Sequence, residues 1–353
     1  MLKSFFKQIF LPLAIIGLCI ALLYSAYNDV KKETINQLNI EQLTHAKQAA
    51  NGIQMFFGEY DVLLTYLVSQ NSVINFDDNG KKLIDILYNS HAPEIQAITR
   101  IDEKGKIIYT IPNNSKFMGA DISHQEHVQR LLKTHQRVVS DIFETVQGYR
   151  SIAYYVPVFK DGLFKGGLAI LIPFENLAKN YLRNIKVRKS GFAWTISQKG
   201  IVIYSPFQEQ NNQNVFSLFT SSPTLISILN KAVKGESGSE LYTWTNTGSP
   251  KSATGNICVV YYPVKIADRF WSIIVTTPEV EALSTMKEFI TKWMIIVFLL
   301  IMGSSFYLYY IIKVRAILKE EIKRKKAEEA LRQSEQKFKT LFQTAGDAIF
   351  LIE

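Results

Sequence analysis

Two long uncharged apolar segments limit what this chain can fold into. They are residues 9–27 and residues 293–312. At ~1.5 Å per helical residue the first spans ~28 Å, about the thickness of the bilayer hydrocarbon core. A cleaved signal peptide is the alternative for the first segment, because Lys3 and Lys7 resemble its basic start. However, the segment exceeds the usual ~7–15 apolar residues and no small-residue cleavage site follows. The sequence therefore predicts two transmembrane helices.

The charge distribution predicts the orientation of these helices. The chain has 40 Lys and Arg against 31 Asp and Glu, and a dense basic cluster begins directly after the second apolar segment, at Lys313. The positive-inside rule places that cluster in the cytoplasm, and with it residues 1–8. Residues 28–292 would then be extracytoplasmic, in a protein of the inner (plasma) membrane. Charge at the membrane flanks, and not on one soluble face, argues against a nucleic-acid partner.

Residues 28–70 follow the first apolar segment with a helical period. Their apolar positions step alternately by four and three residues, as in a heptad seam. Such a stripe either pairs with a second chain or packs against the core of its own chain. Both interpretations stay open, and we expect a homodimer because an exposed seam needs a partner. The stripe consists of Ala46, Ala50, Ile53, Phe57, Tyr60, Leu64 and Leu67.

Residues 71–285 repeat one order of elements: strand, turn, strand, helix and then three strands. The first set covers residues 71–187 and has a helix that Ser123 would cap. The second covers residues 188–285. This repeat predicts two small antiparallel sheets flanked by helices, an α+β fold. Three tryptophans of the second set are predicted to pack in its core, because large aromatic side chains dominate such cores. They are Trp194, Trp244 and Trp271.

Four stretches of the outer segment resemble the double Cache sensor domain of bacterial and archaeal membrane receptors. They read AITRIDEKGKIIYTIP, GADISHQEHVQRLLKTHQRVVSDIF, GYRSIAYYVPVFKDGLFKGGLAILIPFENL and GFAWTISQKGIVIYSP. The resemblance covers about residues 30–285. It implies a long N-terminal helix that carries two stacked PAS-like lobes. The membrane-distal lobe would be residues 71–187, the membrane-proximal lobe residues 188–285, and the distal lobe would bind a small extracellular ligand.

The cytoplasmic end carries a second resemblance, in KRKKAEEALRQSEQKFKTLFQTAGDAIFLIE. Its apolar period predicts a signalling coiled coil over 313–333, and 334–353 resembles the start of a PAS domain with DAIFLIE as its first strand. The resemblance implies a downstream cytoplasmic kinase or response regulator, as in sensor histidine kinases. Two alternatives are the sensor of a diguanylate cyclase and a two-span protein-interaction module without a small ligand.

No catalytic, cofactor or metal site is predicted. The chain lacks GxxxxGK[ST], GxGxxG and GxSxG, which are signatures of phosphate, dinucleotide and acyl chemistry. His124 and His127 have a metal-compatible spacing on a predicted helix, but no further ligand is visible. The Asn-Asn-Ser triplet at 113–115 matches a glycosylation acceptor and carries little weight.

Arg150 and Tyr154 are the main ligand-binding candidates. They lie four residues apart on one predicted strand and so share one of its faces. An Arg facing a pocket clamps a carboxylate or phosphate with two parallel hydrogen bonds, so we expect an anionic ligand. Arg100 is a weaker candidate of the same type, and Tyr109 and Ser140 would add hydrogen bonds.

The amino-acid-sensing branch of the double Cache family carries charged positions that this chain lacks. Its helix begins with an Arg-x-Trp-Tyr pattern, for which Gln125, His127 and Val128 stand here. Its next Tyr and Asp correspond to Phe143 and Thr145, and a last Asp falls near Leu171. These departures argue against an α-amino-acid ligand, because the cation and carboxylates that hold ammonium and carboxylate groups are absent. Gln125 and His127 remain candidates for the edge of a pocket.

Overall fold

The computed structural model describes the backbone of residues 2–92, 94–112, 115–244 and 255–349. Side chains are described for the same ranges except residues 2–9, 11–13, 115, 244, 285 and 342–349. The chain divides into two compact units. One is Lys31–Thr285, and the other combines Met1–Val30 with Met286–Glu353. The glycosylation triplet begins outside the described residues.

Helices and strands alternate along the chain in two similar sets. The helices are α1 (Leu2–Ser69), α2 (Asn71–Asn75), α3 (Asp78–His91), α4 (Glu126–Thr134), α5 (Phe174–Tyr181), α6 (Val215–Leu218), α7 (Pro223–Ala232), α8 (Glu279–Ala282) and α9 (Met286–Ile349). The strands are β1 (Ala97–Ile101), β2 (Ile107–Ile111), β3 (Val138–Val139), β4 (Phe143–Glu144), β5 (Arg150–Lys160), β6 (Leu163–Pro173), β7 (Lys186–Val187), β8 (Gly191–Ser197), β9 (Val202–Tyr204), β10 (Gly238–Trp244), β11 (Gly255–Ile266) and β12 (Arg269–Pro278).

The two predicted lobes are confirmed as two antiparallel sheets of the same topology. The distal sheet has the order β2-β1-β6-β5-β3, with β4 also paired to β5. The proximal sheet has the order β10-β11-β12-β8-β7, with β9 also paired to β8. In both sheets the first strand of the set pairs with the last, and the last pairs with the long strand before it. The fold is α+β, as the repeat predicts.

Helix α1 packs along one face of both sheets. All seven residues of its apolar stripe are buried in the core that α1 shares with these two faces. The stripe is therefore the core-facing side of a long helix, because the chain's own sheets cover it, and it gives no support to the predicted homodimer. A different set of α1 side chains is apolar and exposed: Met55, Val62 and Tyr66.

A separate apolar core covers the outer face of each sheet. In the proximal outer core, α7 packs against β8, β11 and β12, and Trp194 is the tryptophan that β8 contributes. The distal outer core packs α4 against β1, β5 and β6. Trp271 lies in the core shared with α1, so two of the three predicted core tryptophans are confirmed. The side chain of Trp244 lies outside the described residues.

Local structure departs from the sequence predictions at two points in the distal lobe. Helix α4 begins at Glu126 with Gln125 at the N-cap position, so Ser123 does not cap it. The Ser123 N–H instead donates to the Asp121 carboxylate, which holds the preceding turn and places His124 before the helix. The strand predicted over RVVSDIF is divided into β3 and β4, which residues 140–142 separate.

Two helices of the second unit have the length and composition of membrane spans, namely the N-terminal part of α1 and helix α9. Helix α9 continues to Ile349, so Asp347–Ile349 are helical where a first PAS strand was expected. A lone first strand has no sheet to pair with, which favours continuation of the helix. Residues 350–353 lie outside the described residues.

Candidate functional site

A small cavity of about 20 Å³ lies on the outer face of the distal sheet. Its walls come from β1, β2 and β5, from the N-terminus of α4, and from the turn between β4 and β5. That volume holds about one water molecule, so this conformation is closed to a larger ligand. The lining residues are Thr99, Ile107, Ile122, Gln125, Phe143, Thr145, Val146, Gln147, Tyr155 and Leu171.

Three small side chains lie on the outer face of the distal sheet. Ala97, Ala153 and Ala169 occupy that face of β1, β5 and β6 within the distal outer core. They belong to the same layer as the cavity but do not line it.

The cavity wall is uncharged and mixes apolar with polar side chains. None of its lining residues is an acid, a lysine or an arginine. One of its polar groups is already paired, because the Thr99 hydroxyl lies 3.2 Å from the Thr110 hydroxyl and shares a hydrogen bond with it. By contrast, the Gln147 Oε1 atom is buried and has no hydrogen-bond partner among the described residues. Buried acceptors are nearly always satisfied, so this atom is available to a donor that enters the cavity.

His127 packs against two aromatic residues of the cavity wall, Phe143 and Tyr155. Its ring lies 4.3 Å from the Phe143 ring and 5.8 Å from the Tyr155 ring, measured between centroids. The pKa of His127 is lowered to about 3, chiefly by burial and also by the nearby charge of Arg130, while Glu126 opposes the shift. The imidazole is therefore neutral near pH 7, and its buried Nε2 atom has no partner among the described residues.

The turn between β4 and β5 closes the cavity toward solvent. The Gly148 N–H donates to the Thr145 carbonyl at 2.9 Å, and the Tyr149 carbonyl accepts from the Thr145 N–H at 2.9 Å. Gly148 has a φ of +85°, which glycine adopts without strain. Val146 at the tip is exposed. This short turn is the part of the wall that a ligand would have to displace.

Two predicted tyrosines lie on the opposite, α1-facing side of the distal sheet. The Tyr154 hydroxyl donates to Asp61 Oδ1 at 2.9 Å on α1, and burial raises its pKa. The Tyr109 hydroxyl donates to Asp85 on α3, and burial raises its pKa to about 12. Both hydroxyls are thus used in holding helices against the sheet. The structure does not bring them together with Gln125 or His127.

Arg100 and Ser140 hold backbone groups in the distal lobe. The buried Arg100 guanidinium donates to the carbonyl oxygens of Ile101, Lys165 (2.8 Å) and Gly167 (3.4 Å). Burial lowers its pKa to about 10. The Ser140 Oγ atom accepts from the Ala153 N–H at 2.8 Å. Neither residue lines the cavity.

Arg150 is exposed and lines a different and larger concavity. It begins β5 and shares the α1-facing side of that strand with Tyr154, as their even spacing predicts. The structure therefore does not bring the seven predicted site residues together. Gln125 lines the cavity with His127 packed behind it, the two tyrosines lie in the α1-facing core, and Arg150 lines the second concavity. Arg100 and Ser140 bind backbone groups.

An ion-pair cluster joins α4 to the proximal lobe, and sequence analysis missed it. Arg269, at the start of β12, binds both Asp141 and Glu126. Arg130 of α4 binds Asp268, and Asp268 also accepts from the Val139 N–H at 3.1 Å. The pKa of Glu126 is lowered to about 2; burial opposes that shift, and hydrogen bonds from Lys199 and Arg269 cause it. These partners are more than 70 residues apart, so no local pattern could have found them.

A long helix that carries two PAS-like sheets, with a cavity on the outer face of the distal one, defines a two-lobed sensor-type domain. The family comparison agrees. The profile described as "Cache domain" (dCache_1) matches residues 26–286, which is most of the chain. The protein belongs to this family, and two apolar helices flank the matched domain.

Solved structures share the fold at low sequence identity. An extracellular ligand-binding receptor from Desulfohalobium retbaense is 21% identical, with a TM-score of 0.53 over 67% of this chain and 40% of that one. The ligand-binding domain of the Pseudomonas fluorescens chemoreceptor CtaA, in complex with L-isoleucine, is 17% identical, with a TM-score of 0.57 over 74% of this chain and 99% of that one. The extracellular domain of the putative histidine kinase mmHK1S-Z2 is 16% identical, with a TM-score of 0.53 over 67% and 97%. No curated protein sequence matches the chain.

The positions that the resemblance aligned with amino-acid recognition fall at the cavity. Gln125, Phe143, Thr145 and Leu171 all line it. His127 packs directly behind Phe143. The side chains at the four lining positions are uncharged.

Proposed function

We propose that this chain is the sensor and membrane portion of a transmembrane signal receptor, in which the distal cavity binds a small extracytoplasmic molecule. The observation that carries the proposal is the cavity itself, with the unpaired buried acceptor Gln147 Oε1 in its wall. Residues 28–292 lie outside the inner (plasma) membrane, and the basic cluster from Lys313 keeps the end of the chain in the cytoplasm. The output is of the histidine-kinase type, joined through a PAS domain.

The ligand of the cavity is uncharged and carries at least one hydrogen-bond donor. L-Isoleucine, bound by the similar chemoreceptor domain of Pseudomonas fluorescens, carries an ammonium and a carboxylate group. The lining here has no charged side chain to compensate them, and burying an unpaired charge costs several kcal/mol. The anionic ligand expected from Arg150 therefore does not suit this cavity.

Ligand entry shifts a two-state equilibrium of the distal lobe. The closed state has room for about one water, so a ligand binds only a state in which the β4–β5 turn and α4 have moved apart. Glu126 and Arg130 of α4 bind Arg269 and Asp268 of the proximal lobe, so α4 moves together with the start of β12. Strand β12 leads through α8 into α9 along the chain.

The receptor works as a homodimer through α9. Leu331, Phe338 and Leu341 follow a heptad period on this helix and are exposed in the single chain. A second copy offers the same apolar seam in register, which is the arrangement of a two-stranded coiled coil.

Cysteine cross-linking in membranes tests the homodimer. Leu331→Cys should cross-link rapidly under a mild oxidant, whereas Gln333→Cys, two residues away and off the seam, should not. Equal cross-linking of the two variants would show that α9 does not pair through this seam.

A thermal-shift screen of the segment 28–292 tests ligand binding. The panel contains uncharged polyols, amides and purines beside carboxylates, phosphates and amino acids. A ligand at ~100 times its dissociation constant should stabilise the fold by ~2.7 kcal/mol. Val146→Trp should abolish the shift by filling the cavity mouth, and Arg150→Gln should leave it unchanged.

A second candidate function is a protein-interaction module without a small ligand. The small volume of the cavity favours this module, whereas the uncharged polar groups in the cavity wall favour a small ligand. A well-folded segment that no compound of the panel stabilises would support the module and contradict the receptor proposal. A thermal shift that persists in Val146→Trp would show that the ligand binds somewhere other than this cavity.

A further inference from the structure

A concavity of about 820 Å³ lies where the distal and proximal lobes meet. The distal lobe contributes the start of β5 and helix α5. The proximal sheet contributes its edge strand β7, which precedes residue 188, and the proximal lobe contributes the turn before β8 and the segment that follows β9. Its volume is in the range of small-molecule sites, whereas the distal cavity holds about one water. We call it the basic cleft because of the side chains that line it.

Five cationic side chains and a single acidic one line the basic cleft. The acidic residue is Glu175. None of the five cations forms a salt bridge with any residue in the described part of the chain. Lys189 lies nearest to an acid, since its backbone N–H donates to Glu281 at 2.9 Å. The five are Arg150, Lys179, Arg183, Lys186 and Lys189.

Two arginines that do not line the cleft bind acidic residues instead. Arg188 precedes Lys189 in the chain and is not part of the cleft lining, and it binds Glu41 at 3.3 Å. Arg137 of the distal lobe likewise binds Asp61. Like charges around one concave wall repel each other and concentrate anions from solution. A bound anion would remove the repulsion and gain charge-assisted hydrogen bonds.

The floor of the cleft is aromatic. The rings of Phe174 and Tyr204 lie 6.0 Å apart between centroids, and Phe192 lines the cleft beside them. The charge of Arg183 acts on the Tyr204 hydroxyl, so cation and aromatic floor are close together. Such a floor suits the carbon skeleton of an organic molecule, while the cations suit its charged groups.

We propose that the basic cleft binds a small soluble organic polyanion, a phosphate ester or a polycarboxylate, through Arg150, Arg183 and the neighbouring lysines. This site is separate from the distal cavity, which lies on the opposite face of the distal sheet. Both lobes contribute cations, so a bound anion holds them in one relative arrangement. The proposal does not depend on a ligand in the distal cavity.

The test uses the full chain in nanodiscs of phosphatidylcholine, with pyrophosphate and citrate as probes in isothermal titration calorimetry. We expect at least one probe to bind, and to bind about tenfold more weakly when salt rises from ~50 to ~300 mM, because screening weakens such contacts. Arg150→Gln with Arg183→Gln should weaken binding by at least about tenfold. The matched control, Lys104→Gln with Lys133→Gln, removes the same charge from exposed positions outside the cleft and should leave binding unchanged.

Three results would overturn the proposal. They are no binding of either probe to the wild-type chain, equal loss in the cleft and control variants, and binding to vesicles with anionic lipid while both soluble probes fail. The last would assign the cations to a lipid headgroup. If circular dichroism shows that the arginine variant does not fold, Lys179→Gln with Lys186→Gln takes its place, and the same loss is expected.

Discussion

The two lobes share one topology but fill the outer face of the sheet differently. In the proximal lobe, Trp194 and Ile196 of β8 and Tyr261 of β11 pack against α7 and leave a continuous core. In the distal lobe, Ala97 of β1 and Ala153 of β5 face α4 in the corresponding layer, and a cavity remains. The comparison shows that two lobes of one topology differ in the side chains that cover the outer face of the sheet, and that the small cavity described above lies in the distal one.

Trp194→Ala should have the largest effect, because it removes a large buried side chain from the proximal outer core. The ring contacts Phe219 at 5.9 Å between centroids and is buried. We expect a loss of ~3–5 kcal/mol in the free energy of unfolding, measured by urea denaturation of the segment 28–292 followed by circular dichroism. Val146→Ala at the distal cavity should change it by less than ~0.5 kcal/mol. Similar losses for both variants would remove the distinction between the lobes.

Arg269→Met should come next, because it leaves Asp141 and Glu126 without their shared cation at the lobe junction. The Arg269 side chain is only 11% exposed, so solvent cannot replace the lost partner fully. We expect a loss of ~2 kcal/mol in the free energy of unfolding. Lys81→Met breaks the exposed pair with Asp78 and should cost less than ~0.5 kcal/mol. If both variants lost the same free energy of unfolding, the ion pairs of Arg269 would contribute no more than an exposed pair.

His127→Gln should flatten the dependence of stability on pH. The folded-state pKa of His127, about 3, lies below the ordinary histidine value of 6.5, so the unfolded state takes up the proton first. The wild-type fold should therefore lose ~1.4 kcal/mol per pH unit on this account as pH falls below ~6.5, and nothing above it. Urea denaturation of both proteins at several pH values between roughly 7.5 and 5.5 measures this difference in the free energy of unfolding. Parallel curves over this range would show that the imidazole is not buried as described.

Thr99→Val should have the smallest effect among these changes. It makes the distal cavity more like the apolar proximal core and leaves the Thr110 hydroxyl without its partner. We expect a cost of ~1 kcal/mol in the free energy of unfolding. The same variant should weaken an uncharged polar ligand found in the thermal-shift screen. A ligand that binds Thr99→Val more tightly would contradict the polar character of the site.

Much of the architecture followed from patterns that act over short distances. The uncharged runs, the period of α1 and the strand–turn–strand units each reflect local backbone and hydropathy rules, so the two lobes were predicted with their strands in order. Arg150 and Tyr154 share one face of β5, as predicted, because side chains on a strand alternate between its two faces and these residues are four apart. Sequence alone could not say which face of β5 looks toward α1. That choice placed Tyr154 in the core shared with α1 and Arg150 in the basic cleft.

By itself, the sequence determined the class of chain: two apolar helices around a repeated α+β unit of the Cache family. The tertiary structure decided which side chains meet. Burial of the α1 stripe depended on two sheets distant in the chain, and the contacts of Arg269 with Asp141 and Glu126 join residues separated by more than 120 positions. Such contacts arise from packing between elements, for which a single sequence carries no local signal.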